Sequence, residues 1–219
     1  MAIQRATIAG LVVALGAPLA YHLAVEPLLL EPRLAIEVRA LLGYTIMWVL
    51  AAAVIGLTVA WERLPMTSIG LRPLPARLTL LAIGIGVLLS LLVPVLSHAA
   101  HTLARTGEGA LVEVAASVPV TVLILGIITA AVTEEVLFRG YALERLQQLT
   151  GRWWLAGLIS VGAFTVIHLP GWGVAHALGV VLPLGVALTV LYIWKRNLPF
   201  VILIHLVIDA PLIVLALIG

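Results

Sequence analysis

Seven apolar stretches alternate with short polar ones along the whole chain, and this alternation is the first thing the sequence offers. After Arg5 an uncharged run extends from Ala6 to Val25, followed by a connector that carries Glu26, Pro27, Glu31, Pro32, Arg33, Glu37 and Arg39. The run at Ala6 is longer than the core of a signal peptide and is succeeded by further runs of the same kind, so it reads as a first span rather than a leader. Further spans run from about Ala40 to Ala60 and from Leu78 to Leu96, separated by the arginine- and proline-containing segment Glu62 to Arg77. Trp48 and Trp61 suit an interior and a boundary aromatic of the second span, and Gly84 and Gly86 suit close helix contact in the third. The connector that holds His98, His101, Arg105, Glu108 and Glu113 leads to a fourth span that begins near Val118. The polar residues Glu144, Arg145, Gln147 and Gln148 read as the point where that helix leaves the membrane, and Gly151-Arg152 as the turn. A short fifth span, Trp153 to Leu169, is expected to end at Pro170-Gly171. A sixth runs from about Val174 to Trp194, and a seventh from Leu198 onward.

Composition agrees with this reading. Of 219 residues 63% are hydrophobic and 10% charged, with a mean hydropathy of +1.22, whereas soluble domains carry about a quarter of their residues as charges. The expected fold is all-α, a polytopic transmembrane helix bundle of about seven spans, each about 20 residues long, in one membrane domain over residues 1–219. An eighth, re-entrant piece would leave no trace in the pattern. The absence of cysteine excludes disulfides, thiol catalysis and thiolate metal sites. Lys195 is the one lysine among twelve basic residues, and no basic stripe suggests nucleic acid as a partner. The expected surroundings are instead the lipid bilayer of a prokaryotic cell. Assigning loops to alternate sides puts Arg5, Arg63, Arg72, Arg77, Arg145, Arg152, Lys195 and Arg196 on one side and Arg33, Arg39 and Arg105 on the other. Cytoplasmic loops attract arginine and lysine, so the N-terminus is expected in the cytoplasm.

Chemistry enters in the fourth span. Glu134 and Glu135 follow an uncharged run from Val118, and Arg139 comes four residues after Glu135. An ionisable group at membrane depth costs several kcal/mol, so it is usually paired, faces the bundle interior and marks a function. Glu134 lies seventeen residues before Gly151 and His168 seventeen after it, so a helical hairpin turning at Gly151 sets the two side by side. With a lipid boundary near Tyr141 and Leu198, Glu134 and His205 each sit seven residues inside, about 10 Å. His205 and Asp209, four apart, share one face of the last helix. A carboxylate beside an imidazole can act as a general base on water, and a second imidazole or carboxyl group can stabilise an oxyanion. The same Glu and His residues form a zinc ligand set, or line a proton or cation path in a transporter. The residues alone leave these alternatives open.

The motif Glu134-Glu135-Val-Leu-Phe-Arg139 fits an EExxxR pattern, Phe164 to His168 fits FxxxH and His205 to Asp209 fits HxxxN/D. In this order and membrane setting they resemble the CAAX protease and bacteriocin-processing (CPBP) family of intramembrane endopeptidases, of the type II CAAX prenyl protease kind, over a catalytic core of 118–211. The resemblance implies a metal-free glutamate protease, with zinc as the older alternative, in which Glu134 activates water with the help of His168. It further implies that His205 and Asp209 stabilise or orient the oxyanion, that Glu135 and Arg139 support the site and that Phe164 lines it. The implied partner is a peptide, lipidated or otherwise membrane-associated. Asparagine is common in the family where Asp209 stands, and an ionised aspartate cannot donate to an oxyanion.

Overall fold

A computed structural model of the chain describes residues 5–29, 34–106 and 118–218. Among these, helices long and apolar enough to cross a membrane are α1 Arg5–Val25, α2 Ile36–Trp61, α3 Ala76–Ala104, α4 Val120–Thr150, α5 Trp153–Lys195 and α6 Leu198–Leu217. The chain is therefore an all-α, multi-pass membrane protein. The connector residues Glu31, Pro32, Arg33, Glu108 and Glu113 lie outside the described residues.

The expected fifth and sixth spans are two limbs of the 43-residue α5, which is broken at Gly173 (φ 74°, ψ 167°). Only glycine adopts that backbone conformation without substantial strain, because any Cβ would clash with its own chain. The limbs fold back on each other, so that Gly157 lies against Thr189 and Gly185 against Phe164. The break falls beyond Pro170, which the helix absorbs, rather than at Pro170-Gly171 as the sequence suggests. The turn between α4 and α5 is at Gly151 (φ 67°), as expected. Its N–H donates to the carbonyl of Gln147, closing the end of α4.

Helix α6 starts cleanly because Asn197 caps it. The side-chain oxygen accepts from the Phe200 N–H at 3.0 Å, and Pro199 occupies a first-turn position where no N–H is needed. The α2–α3 loop is latched to this start, since the Leu198 N–H donates to the Gly70 carbonyl and the Asn197 side-chain amide to that of Pro73. Further along, α6 packs on α3 through Gly86, where a Cβ would come within 2.7 Å of Val207, whereas a Cβ on Gly84 would meet no neighbouring helix among the described residues.

One polar layer departs from the sequence reading. Glu144 and Arg145 do not mark an exit from the bundle, because both are fully buried. Arg145 donates through Nε and Nη2 to Glu62 at 2.9 and 2.7 Å, and Glu62 also accepts from Tyr141 and Thr7. Glu144 accepts from Tyr192 and from Arg196. Tyr141, taken from sequence as a lipid boundary, is itself inside the core. The third helix likewise outruns its expected end at Leu96, continuing through Pro94 to Ala104 and burying His101 beside His176.

Removing one partner of a buried ion pair strands the other charge. Glu62→Gln is expected to lower stability by about 3–5 kcal/mol, and Gly173→Ala by about 1–3 kcal/mol. Reversible unfolding in detergent measures both.

Candidate active site

Helix α4 opens the site by changing its own geometry. From Val120 to Glu134 it is α-helical, and from Glu135 to Leu143 it widens into a π-helix. Such wide turns interrupt the regular hydrogen-bond ladder and recur at functional sites. Here the change falls between the two glutamates, which take different surroundings. Glu135 is fully buried, while the Glu134 side chain is 14% exposed.

Glu135 is held from two helices. Its Oε1 accepts from Arg139 Nη1 at 2.8 Å and from His205 Nδ1, on α6, at 2.9 Å. Arg139 is enclosed as well, since its Nη2 donates to the Gly185 carbonyl and its guanidinium lies 4.2 Å from the centre of the Phe164 ring. Phe164 in turn meets Phe138 edge-on, with ring centres 5.3 Å apart. Of the supporting residues, Glu135 and Arg139 therefore anchor the site from behind, and Phe164 joins the Arg139 stack to its wall.

Glu134 meets His168. His168 Nε2 lies 3.9 Å from Glu134 Oε1, beyond a direct hydrogen bond but suited to one water between them. The other ring nitrogen, Nδ1, donates to the Phe164 carbonyl at 2.7 Å. That bond fixes the ring and, in the neutral imidazole, leaves the Nε2 lone pair directed at Glu134. The turn geometry that was counted from sequence, seventeen residues on either side of Gly151, thus brings these two groups together.

His205 and Asp209 join the same cavity, which holds about 870 Å³ and is lined by Glu134, Phe164, His168, His205 and Asp209 together with apolar residues of α3 and α6. With Nδ1 committed to Glu135, His205 presents Nε2 to Asp209 at 3.4 Å. All four residues expected to carry the chemistry, Glu134, His168, His205 and Asp209, therefore face one space. Their level is near mid-height of α4, fourteen residues from its start and sixteen from its end, not two turns below a boundary at Tyr141. A second cavity of about 440 Å³ lies across α4, and Ala130, Glu134, His168 and Trp172 belong to the walls of both.

Sequence reasoning missed Trp172 and His176, which stack at 4.9 Å and line the larger cavity. The signal was present as two more aromatic residues beyond His168, but an assumed end at Pro170 hid it. Zinc fits poorly. Among the described residues no group of three or more His, Asp or Glu side chains converges as a ligand set, and Glu135 is taken by Arg139.

These environments predict unequal responses to the same substitution. Glu135→Gln leaves Arg139 buried without its counter-ion and is expected to cost about 3–5 kcal/mol. Glu134→Gln breaks no short hydrogen bond and is expected to change stability by less than about 1 kcal/mol. Thermal unfolding of the two variants in detergent compares them directly.

Residues 116–211 match the model of a family described as type II CAAX prenyl endopeptidase Rce1-like. That is nearly the stretch over which the three motifs fall. The comparisons with curated proteins and with solved structures give no match. The matched stretch is similar to type II CAAX prenyl endopeptidases over residues 116–211, which marks the chain as a protease.

Proposed function

We propose that the protein is a glutamate-type endopeptidase that hydrolyses peptide bonds with water activated by Glu134 and His168. The observation that carries this reading is the pair itself, a partly exposed carboxylate and a fixed imidazole 3.9 Å apart on a cavity wall. Water between them gives a proton to Glu134 as its oxygen attacks the peptide carbonyl carbon. The carbonyl oxygen becomes an oxyanion. The proton then passes to the departing amine, with His168 Nε2 placed to relay it, and the carbon–nitrogen bond breaks. The products are a carboxylate and a free amine.

His205 is assigned to the oxyanion as the imidazolium, flanked by the carboxylates of Glu135 and Asp209, with Nδ1–H donating to Glu135 and Nε2–H left to donate into the cavity. Asp209, 3.4 Å from that nitrogen, orients the imidazole rather than donating to the oxyanion. This gives the aspartate a role that ionisation does not defeat. Glu135 and Arg139 act as positioning residues.

The substrate is proposed to be a membrane-associated peptide, a lipidated one included. The larger cavity is predominantly apolar and is bounded by α3 and α6, where Leu91 and Val214 are exposed on the bundle's outer surface. A substrate bearing an apolar tail could enter there from the bilayer. The side with more arginines, which includes Arg63, Arg72, Arg77 and Arg152, is assigned to the cytoplasm together with the N-terminus of a cell-membrane protein.

General base catalysis is commonly worth about 10²–10⁴ in rate. In cleavage assays on a farnesylated peptide and its unmodified counterpart, Glu134→Gln and His168→Ala should each lower kcat by about that factor. The double variant should lose little more, because the two groups act on one water. Full cleavage by Glu134→Gln would remove the assigned base. Activity should also survive a chelator, and its loss with recovery on adding zinc would overturn the metal-free mechanism.

A further inference from the structure

Both cavities lead from the catalytic pair toward the same end of the bundle. Toward the Gly151 turn the site is closed, because every residue from Glu135 to Leu146 is buried. Arg139, Glu144 and Arg145 in that stretch are bonded to Gly185, Tyr192 and Glu62, so polar groups cross-link the layer as well as fill it. Interiors packed in this way hold few voids larger than a water molecule. A peptide has no passage there. In the other direction the walls continue. The larger cavity runs from Glu134 and His205 past Trp172 and His176, on either side of the Gly173 bend, to Pro211 and Leu215 in α6. The smaller one runs from the shared wall to His22, near the end of α1, and to Ile36 and Arg39 in the first turn of α2.

Helix directions fix which end this is. Trp48 Nε1 donates to Thr129 Oγ1, and a Cβ on Gly126 would collide with the Tyr44 hydroxyl, so α2 runs parallel to α4 and begins at the end remote from Gly151. Thr7 Oγ1 donates to Glu62, which sets the start of α1 beside the end of α2 and its last turn beside the start of α2. Arg196 on Glu144 holds the start of α6 at the Gly151 end, and the last turns of α6 therefore reach the opposite one. Charge then distinguishes the two faces. Arg63, Arg72, Arg77, Arg152, Lys195 and Arg196 cluster at the closed end, whereas among the described residues Arg39 and Arg105 are the arginines of the other. An excess of arginine and lysine marks the cytoplasmic face. The closed end is the cytoplasmic one.

Resting on the endopeptidase reading and on that orientation, we infer that the catalytic pair is served from the outer face of the membrane, and that the substrate is a peptide presented there, exported or anchored in the outer leaflet. Such a peptide reaches Glu134 and His168 through the larger cavity, with its apolar part against the surface that carries Leu91 and Val214. Water has a route from the same face through the smaller cavity, whose wall includes Arg39, Tyr44 and Thr133. A peptide still in the cytoplasm meets only the buried layer between Glu135 and Leu146. The polar layer thus acts as a floor to the site as well as a register device.

The chain contains no cysteine, so single introduced thiols report access directly. The full chain is tested in right-side-out and in inverted membrane vesicles with a small charged methanethiosulfonate, which does not cross the bilayer. Arg152→Cys marks the closed end, Ala130→Cys the wall shared by both cavities, and Ser90→Cys, a nearly isosteric change, the wall of the larger one. Arg152→Cys should be modified only in inverted vesicles, and Ala130→Cys and Ser90→Cys only in right-side-out ones. Modification of the two cavity thiols from the inverted side, or from neither side, overturns the inference, as does modification of Arg152→Cys from the outside. A second readout follows cleavage of the unmodified peptide, kept charged so that it stays where it is added. Wild-type cleavage should occur in right-side-out vesicles and be lost in inverted ones. Cleavage confined to inverted vesicles overturns the outer-face route while leaving hydrolysis standing. Thiol modification as expected, with no cleavage from either face, upholds the route and sinks the endopeptidase reading.

Discussion

Burying a carboxylate among apolar helices is the constraint from which the rest of this structure follows. Glu135 has no contact with solvent, so it must be neutralised and hydrogen-bonded where it stands. Arg139 supplies the charge from the same helix and His205 a second donor from α6. Because one oxygen serves both, the interaction also fixes where α6 stands relative to α4. Glu134, the next residue, is thereby freed from any supporting duty and turns to the cavity edge opposite His168. The two adjacent glutamates thus take different surroundings, one enclosed and paired, the other at the cavity edge.

The same rule recurs at the Gly151 end of the bundle. Glu62 with Arg145, and Glu144 with Arg196 and Tyr192, form a second set of enclosed charges. They tie the α2–α3 loop, α4, α5 and the start of α6 together in a layer where apolar packing alone would permit sliding. Buried pairs contribute little net stability but penalise misassembly strongly, since each broken pair leaves a bare charge. In this chain they set the register that brings Glu134, His168 and His205 to one cavity.

Much of this was legible before the structure. Apolar runs gave the helices, and equal spacing around Gly151 gave the Glu134–His168 meeting, because a helical hairpin is governed by simple counting. The three motifs picked out the other residues that the fold brings to this cavity or behind it. What stayed hidden were partnerships across the bundle. Glu144 and Arg145 look in sequence like residues leaving a membrane, for a charge paired with Arg196 or Glu62 reads the same as a solvated one. Pro170 looked like a helix end, yet the chain turns only at Gly173, where a non-glycine residue would be strained. His101 was placed in a connector, because the length of α3 beyond Pro94 was not encoded in hydropathy. Which donor would satisfy Glu135 required knowing that His205, seventy residues away, comes within 2.9 Å.

The account assigns the attack to water held between Glu134 and His168, with no covalent bond between enzyme and substrate. A single turnover in water enriched with heavy oxygen tests that assignment most directly. The account predicts one heavy oxygen in the newly formed carboxylate and an intact protein mass that stays unchanged throughout. A transient acyl adduct on the protein would contradict it.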